Sequence, residues 1–236
     1  MSDRFLEGRL ALVTGASRGI GAATAEALAQ AGAHVVLTAR TSAALEQVEE
    51  RIHAAGGSAT IAPLDLTESD SIARLAAAVS GRWQALDVLV MNAATLGSLT
   101  PVPAIDGKEF TKVLTLNVLA NQALIAGFDT LLRASPAGRL LAITSSVGRL
   151  PRAYWAAYGA SKAALETLVL SYGEEIRNVS PARVAIVDPG ATATDMRTRA
   201  FPGEDPSTIK QPEAVAAGIA DLLRNDFETG YRLEVR

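Results

Sequence analysis

The sequence predicts an α/β fold, a doubly wound parallel sheet of about seven strands with helices on both faces. Three observations predict it. Short apolar runs of strand length alternate with longer segments of helical spacing along the whole chain. Those runs lack polar alternation, as strands covered on both faces must. Irregular segments at 95–103, 148–155 and 194–211 follow the carboxyl ends of strands, where an open parallel sheet holds its ligands.

Residues 9–14 (RLALVT) form the first expected strand and run into a glycine-rich turn and a helix over 20–31. The runs 34–39 (HVVLTA) and 58–63 (SATIAP) follow as strands, separated by a helix over 42–55. A helix over 69–80 leads to the strand 86–91 (LDVLVM), and a long helix over 108–133 leads to 139–145 (RLLAITS). The segment 156–178 has helical length and spacing, 183–187 (RVAIV) is a strand, 212–224 is a helix, and 231–235 is a short last strand. Strand–helix–strand repetition implies right-handed crossovers and a parallel sheet. No composition break, linker or repeat marks a second domain, so residues 1–236 read as one domain.

Composition excludes several chemistries. With 236 residues, 49% of them hydrophobic and 20% charged, the chain can bury a sizeable core. A net charge of −3 gives no electrostatic case for nucleic acid or an anionic membrane. The absence of cysteine removes disulfides, thiolate nucleophiles and cysteine-bound metals. His34 and His53 are the only histidines and fall in a strand and a helix, so neither a histidine triad nor a zinc site is expected. The first residues do not read as a signal peptide, and no run approaches the ~20 apolar residues of a membrane span. The chain therefore reads as a soluble, cytoplasmic protein without metal, nucleic-acid or membrane partners.

The turn after the first strand is GASRGIG, with Gly15, Gly19 and Gly21. A glycine-rich turn between strand and helix leaves backbone N–H groups and a helix N-terminus free for a pyrophosphate. Its place after the first strand favours a dinucleotide over an ordinary tight turn. Further along, AYWAAYGASKAA holds Tyr158 and Lys162 one helical turn apart, so their side chains share a face. An ammonium beside a phenol stabilises the phenolate. Bringing a tyrosine from its ordinary pKa of ~10 to near 7 takes roughly 4 kcal/mol. Tyr154 lies two turns from Lys162, too far to share its field, and reads as a loop wall or surface aromatic.

Together these residues resemble the short-chain dehydrogenase/reductase family over nearly the whole chain, which implies a single Rossmann-type domain. The nucleotide motif matches at Thr14, Gly15, Gly19 and Gly21, and the Y-x-x-x-K signature at Tyr158 and Lys162. The family's serine, thirteen residues before the tyrosine, is Ser145; its helical asparagine is Asn117; its P-G-x-x-x-T segment is Pro189, Gly190 and Thr194. One motif departs: Asn92-Ala93-Ala94 stands where the family has Asn-Ala-Gly. An alanine forced to a positive φ there would cost about 1 kcal/mol or more.

The resemblance implies hydride transfer between NADP(H) and a carbonyl or secondary alcohol. Tyr158 would be the general acid and base, Lys162 and a cationic nicotinamide would together lower its pKa, and Lys162 would hold the nicotinamide ribose. Ser145 would orient the substrate oxygen, and Asn117 would bind a water relaying protons to solvent. Read as ordinary structure, Ser145 is a strand-end cap and Asn117 a helix kink. Cofactor contacts are expected from Gly15, Ser17, Arg18, Gly19, Ile20, Gly21, Arg40, Thr41, Asp65, Leu66, Asn92, Ala93, Ala94, Pro189, Gly190, Thr192 and Thr194. An enzyme using NAD usually ends its second strand in Asp or Glu. Here Ala39 is followed by Arg40, with Arg18 in the glycine loop, which favours the 2′-phosphate of NADP over NAD.

The alternatives are a 3-oxoacyl carrier-protein reductase, which shares every motif; a catalytically silent binding protein; and a methyltransferase, which gives no reason for Ser145, Tyr158 and Lys162. Arg149 and Arg152, beside Tyr154 and Trp155, suit an acidic, partly aromatic or acyl substrate and equally a solvated basic loop. By resemblance the helices 108–133 and 156–178 pair chains into a homodimer or homotetramer, with Ala156, Ala160, Ala163, Ala164 and Leu168 allowing close packing.

Overall fold

The computed structural model describes residues 4–236. One seven-stranded sheet organises them, in the order β3-β2-β1-β4-β5-β6-β7. Its strands are β1 (Leu10–Thr14), β2 (His34–Ala39), β3 (Ser58–Pro63), β4 (Val88–Met91), β5 (Arg139–Ile143), β6 (Arg183–Asp188) and β7 (Tyr231–Glu234). Every pairing is parallel, with Leu10 opposite His34 on one side of β1 and Ala11 opposite Val88 on the other. The strand order reverses between β1 and β4, which opens a crevice at their carboxyl ends.

Side chains alternate across the sheet and sort the helices into two layers. Ala11, Val13, Val35 and Leu37 face one side. There they pack with Leu28 of α1 (Gly19–Gln30), Leu45, Val48 and Ile52 of α2 (Ser42–Ala54) and Val215 and Ile219 of a C-terminal helix (Pro212–Arg224). Leu10, Leu12, Leu89 and Leu140 face the other side. Against them lie Leu75 and Val79 of α3 (Ser71–Ser80), with Leu124 and Phe128, and Leu165 and Val169, from two long helices.

Two expectations about helices need correction. The helix expected over 108–133 is interrupted: α4 (Gly107–Leu114) passes through a π turn at Thr115–Leu119 into α5 (Ala120–Ala134). No proline or glycine marks the break. The segment 194–211 is not wholly irregular. After α6 (Ala156–Ile176) it contains α7 (Asp195–Ala200) and a single 3-10 turn at Pro206–Thr208, before the C-terminal helix, α8. Thr194 caps α7 by accepting a hydrogen bond from the N–H of Arg197 at 3.2 Å. No helix is long and apolar enough to cross a membrane among the described residues.

Candidate active site

The glycine loop is stitched to the end of β4 across the crevice. Buried Thr14 accepts hydrogen bonds at Oγ1 from the N–H groups of Asn92 and Ala93, both at 3.0 Å, and donates to the Val90 carbonyl at 3.3 Å. The Asn92 amide donates to the carbonyls of Thr14 at 2.9 Å and Gly15 at 3.2 Å. A Cβ on Gly21 would lie 2.2 Å from the Gly15 oxygen and 2.5 Å from Asn92 Nδ2, so no side chain fits. Gly15 also takes a positive φ of 65°. Arg18 precedes α1 in extended conformation without a side-chain cap, which leaves the helix's first N–H groups to an anion. Ser17, Gly19 and Ile20 line the same turn, half-buried. The loop and helix end therefore suit a dinucleotide pyrophosphate.

Further along the same rim, Ala39 ends β2 and the exposed Arg40 and Thr41 lead into α2. Thr41 precedes the helix without capping it. Arg18 forms an ion pair with Asp195 at 3.0 Å, linking the glycine loop to α7. Asp65 accepts from Thr67 N at 2.9 Å and Thr67 Oγ1 at 2.7 Å. Those bonds, aided by the Arg40 charge, hold its carboxyl below the usual range. Leu66 beside it is buried. Ala94 does not carry the strain its motif suggested. Among the described non-glycine residues only Asp70 and Tyr154 take a positive φ.

The second group of motif residues gathers at the carboxyl end of β5. Tyr158 and Lys162 are buried on α6, with the Lys162 ammonium 5.5 Å from the centre of the Tyr158 ring. Lys162 Nζ donates to the Ile143 carbonyl at 2.8 Å, anchoring it to the last residue of β5. Burial lowers its pKa to about 8, against the supporting charge of Glu166. Burial also drives the Tyr158 phenol well above its ordinary value, and the Asp188 carboxylate adds to this. The protein groups alone thus hold Tyr158 protonated, because its burial disfavours the phenolate; the depression expected from Lys162 together with a cationic nicotinamide concerns the cofactor-bound site. Ser145 stands two residues past β5, half-buried, and its side chain caps nothing.

Asn117 lies in the π turn and is fully buried. Its Oδ1 accepts from Thr95 N at 2.8 Å, and its Nδ2 donates to Thr95 O and to Ser161 Oγ, each at 2.9 Å. The side chain therefore ties the loop after β4 to α6, one residue before Lys162. The irregular winding expected of Asn117 as ordinary structure is present at this residue.

The last segment begins at Asp188, which accepts from Gly190 N at 3.0 Å. Buried Thr192 donates to the Pro189 carbonyl at 3.0 Å, and Thr194 approaches Gly19, where a Cβ would meet Thr194 Cγ2 at 3.3 Å. The ends of the fourth and sixth strands thus both reach the glycine loop, through Asn92 and Thr194. Asp195, Ser161, Arg197 and Glu204 also belong to the frame of the site, and no motif spacing announced them. Tyr154, by contrast, is an exposed surface aromatic whose carbonyl accepts from Thr100 N at 3.1 Å. An open hollow of about 650 Å³ at the amino ends of the strands, lined by Arg9, His34 and Trp83, includes none of these residues.

Residues 9–205 match the short chain dehydrogenase family. The chain is 37% identical over 225 residues to the uncharacterized oxidoreductase YciK of Escherichia coli K12, covering 94% of this chain and 88% of that one. A structure assigned as a short chain dehydrogenase from Escherichia coli CFT073, solved with NADPH, superposes with a TM-score of 0.94 at 35% identity, covering 100% and 99% of the two chains. A metagenomic short-chain oxidoreductase in complex with NADP gives 0.84 at 35% identity, covering 98% of each. The protein is an oxidoreductase and belongs to the short-chain dehydrogenase/reductase family.

Proposed function

We propose that the protein transfers a hydride between NADP(H) and a carbonyl or secondary alcohol substrate, with Tyr158 as general acid and base. The observation that carries this reading is the buried pair of Tyr158 and Lys162, tied through Lys162 to the end of β5, which Ser145 follows by two residues. Bound NADP supplies or accepts the hydride. Gly15, Ser17, Gly19, Ile20, Gly21 and the α1 N-terminus hold its pyrophosphate, while Arg40, Thr41 and Arg18 meet the 2′-phosphate. Asp65 and Leu66 border the adenine. Asn92, Ala93, Ala94, Pro189, Gly190, Thr192 and Thr194 form the nicotinamide side. The relatives solved with NADP and NADPH support this assignment.

Ser145 donates a hydrogen bond to the substrate oxygen and presents it to the Tyr158 hydroxyl. A phenol kept protonated by burial has its proton in place for reduction, and Lys162, near a pKa of about 8, can exchange one at neutral pH. Asn117 holds Thr95 and Ser161 together beside Lys162, and one Oδ1 lone pair remains for a relay water.

Pairing of two or four chains through α5 and α6 is supported by their surfaces. Ala160 is exposed and Ala156, Ala163, Ala164 and Leu168 are half-buried, so this face is not core. Leu119 is 60% exposed beside a hollow lined by Ala123, Ala126 and Gly127.

The test is a carbonyl panel followed by NADPH absorbance loss. Tyr158→Phe is expected to lower turnover about 10²–10⁴-fold with NADPH affinity retained, and Arg40→Ala to weaken NADPH about ten-fold or more while sparing NADH. Equal turnover by Tyr158→Phe would sink the mechanism, and equal affinity of the parent for NADH and NADPH would sink the cofactor assignment.

A further inference from the structure

Beside Tyr158 the two substrate loops are joined by a stack of rings and guanidinium groups. Trp155 meets the Tyr158 ring edge-on, with 6.0 Å between centroids, and Phe201 from the other loop lies 5.8 Å from Trp155. Arg197 sits 3.7 Å over Phe201, and its guanidinium is committed to Glu204 through two bonds of 2.5 and 2.6 Å. Arg152 lies over both rings, 5.6 Å from the centre of Trp155 and 5.1 Å from that of Phe201.

Two nearby arginines have carboxylate partners. Arg149 pairs with Glu234 at 3.0 Å and faces Asp188 at 3.9 Å, and Arg18 pairs with Asp195. Only ring contacts occupy the Arg152 guanidinium among the described residues, and it is exposed, joined to the Tyr158 ring through Trp155. A guanidinium resting on aromatic faces keeps its N–H edge free for a bidentate anion. The two rings restrict its motion, so less rotamer freedom is lost when it binds.

Resting on the oxidoreductase reading above, we infer that Arg152 is a specificity-determining residue that binds an oxyanion, a carboxylate or phosphate, carried by the substrate apart from its reacting carbonyl. The structure separates the two arginines that the sequence left equivalent. Arg149 is part of an ion-pair network at the C-terminal strand, whereas Arg152 is the cation that faces incoming substrate.

The test compares 4-oxo-4-phenylbutanoate, its neutral amide and phenacyl phosphate, in the NADPH-loaded parent, Arg152→Lys and Arg152→Gln proteins. Turnover is read beside binding, the latter from Trp155 fluorescence in a Trp83→Phe background. The parent is expected to prefer at least one anion over the amide by about ten-fold in kcat/KM and in affinity, mainly through KM. Arg152→Gln should erase that ratio and Arg152→Lys retain part of it. A carboxylate or a phosphate preference identifies the oxyanion. Equal affinity for anions and amide, or a preference that survives Arg152→Gln, overturns the inference even when turnover is present. Preferential anion binding without turnover of any of these compounds supports the anion site and counts against carbonyl reduction of these compounds instead.

Discussion

Lys162 owes part of its protonation to Glu166, one turn further along α6, and Glu166 is itself held by Arg232 of β7. The pair is bidentate, at 2.9 and 2.7 Å, and Glu166 is only 6% exposed. Arg232→Met leaves that carboxylate buried without its partner, a change that costs about 3–5 kcal/mol in a closed site. Arg232 keeps some solvent contact, which places the expected loss near 3 kcal/mol, or about 6–12 °C in Tm for a domain of this size. Replacing both partners by methionine should recover most of the loss, because no charge is then stranded. The same variants should move the alkaline limb of the rate in opposite directions. Glu166→Gln removes the anion that supports Lys162 and shifts the limb below about pH 8, whereas Arg232→Met leaves that anion unopposed and shifts it upward. Urea unfolding and kcat/KM from pH 6 to 10 read both effects. A double variant whose cost equals the sum of the single ones, or limbs that move together, would refute the coupling.

Gly21→Ala should abolish detectable NADPH binding, since its Cβ meets the backbone oxygen of Gly15 at 2.2 Å, while Gly19→Ala, which meets only the Thr194 side chain from 3.3 Å but must hold a φ of +54°, should retain it more weakly; titration of both variants decides. Asp195→Asn releases Arg18 from its ion pair and should tighten NADPH about two- to five-fold, an effect limited by exposure of both groups and absent for NADH. Stability should rise as pH passes from about 8 toward 10.5, because the unfolded chain binds the Lys162 proton more firmly than the folded one, a difference of about 3 kcal/mol at most. It should fall above about pH 10, where the raised phenols of Tyr158 and Tyr172 cease to favour the native state, and urea midpoints across that range would show a maximum.

Strand positions were legible because parallel strands buried on both faces leave near-continuous apolar runs, such as Leu10–Thr14 and Arg183–Asp188. The glycine loop was legible for a different reason, a steric one, since only glycine fits where Gly21 meets Gly15. The π turn was hidden because its cause is tertiary. Asn117 satisfies Thr95 and Ser161, which are remote in sequence. Helix α7 is too short to show periodicity. The burial that keeps the Tyr158 phenol protonated was not legible, because burial is not a property of a four-residue spacing. The separate fates of Arg149 and Arg152 likewise depend on Glu234 and Phe201, from elements that follow much later in the chain.

The π turn at Thr115–Leu119 also makes chain length a constraint in its own right. Each residue advances an α-helix by about 100°, and a π turn accommodates one residue more than the regular winding. Deleting any one residue there would let α4 and α5 fuse into an unbroken helix, which local energetics favours. With Leu124 and Phe128 fixed against the sheet, the flanking helices would keep their faces, and the residues of the turn itself would be re-aimed. Asn117 would swing away from Thr95 and Ser161, and the loop after β4 would lose its tie to the lysine helix. The stretch acts as a ruler: it can accept many exchanges of side chain, but not a change in its number of residues.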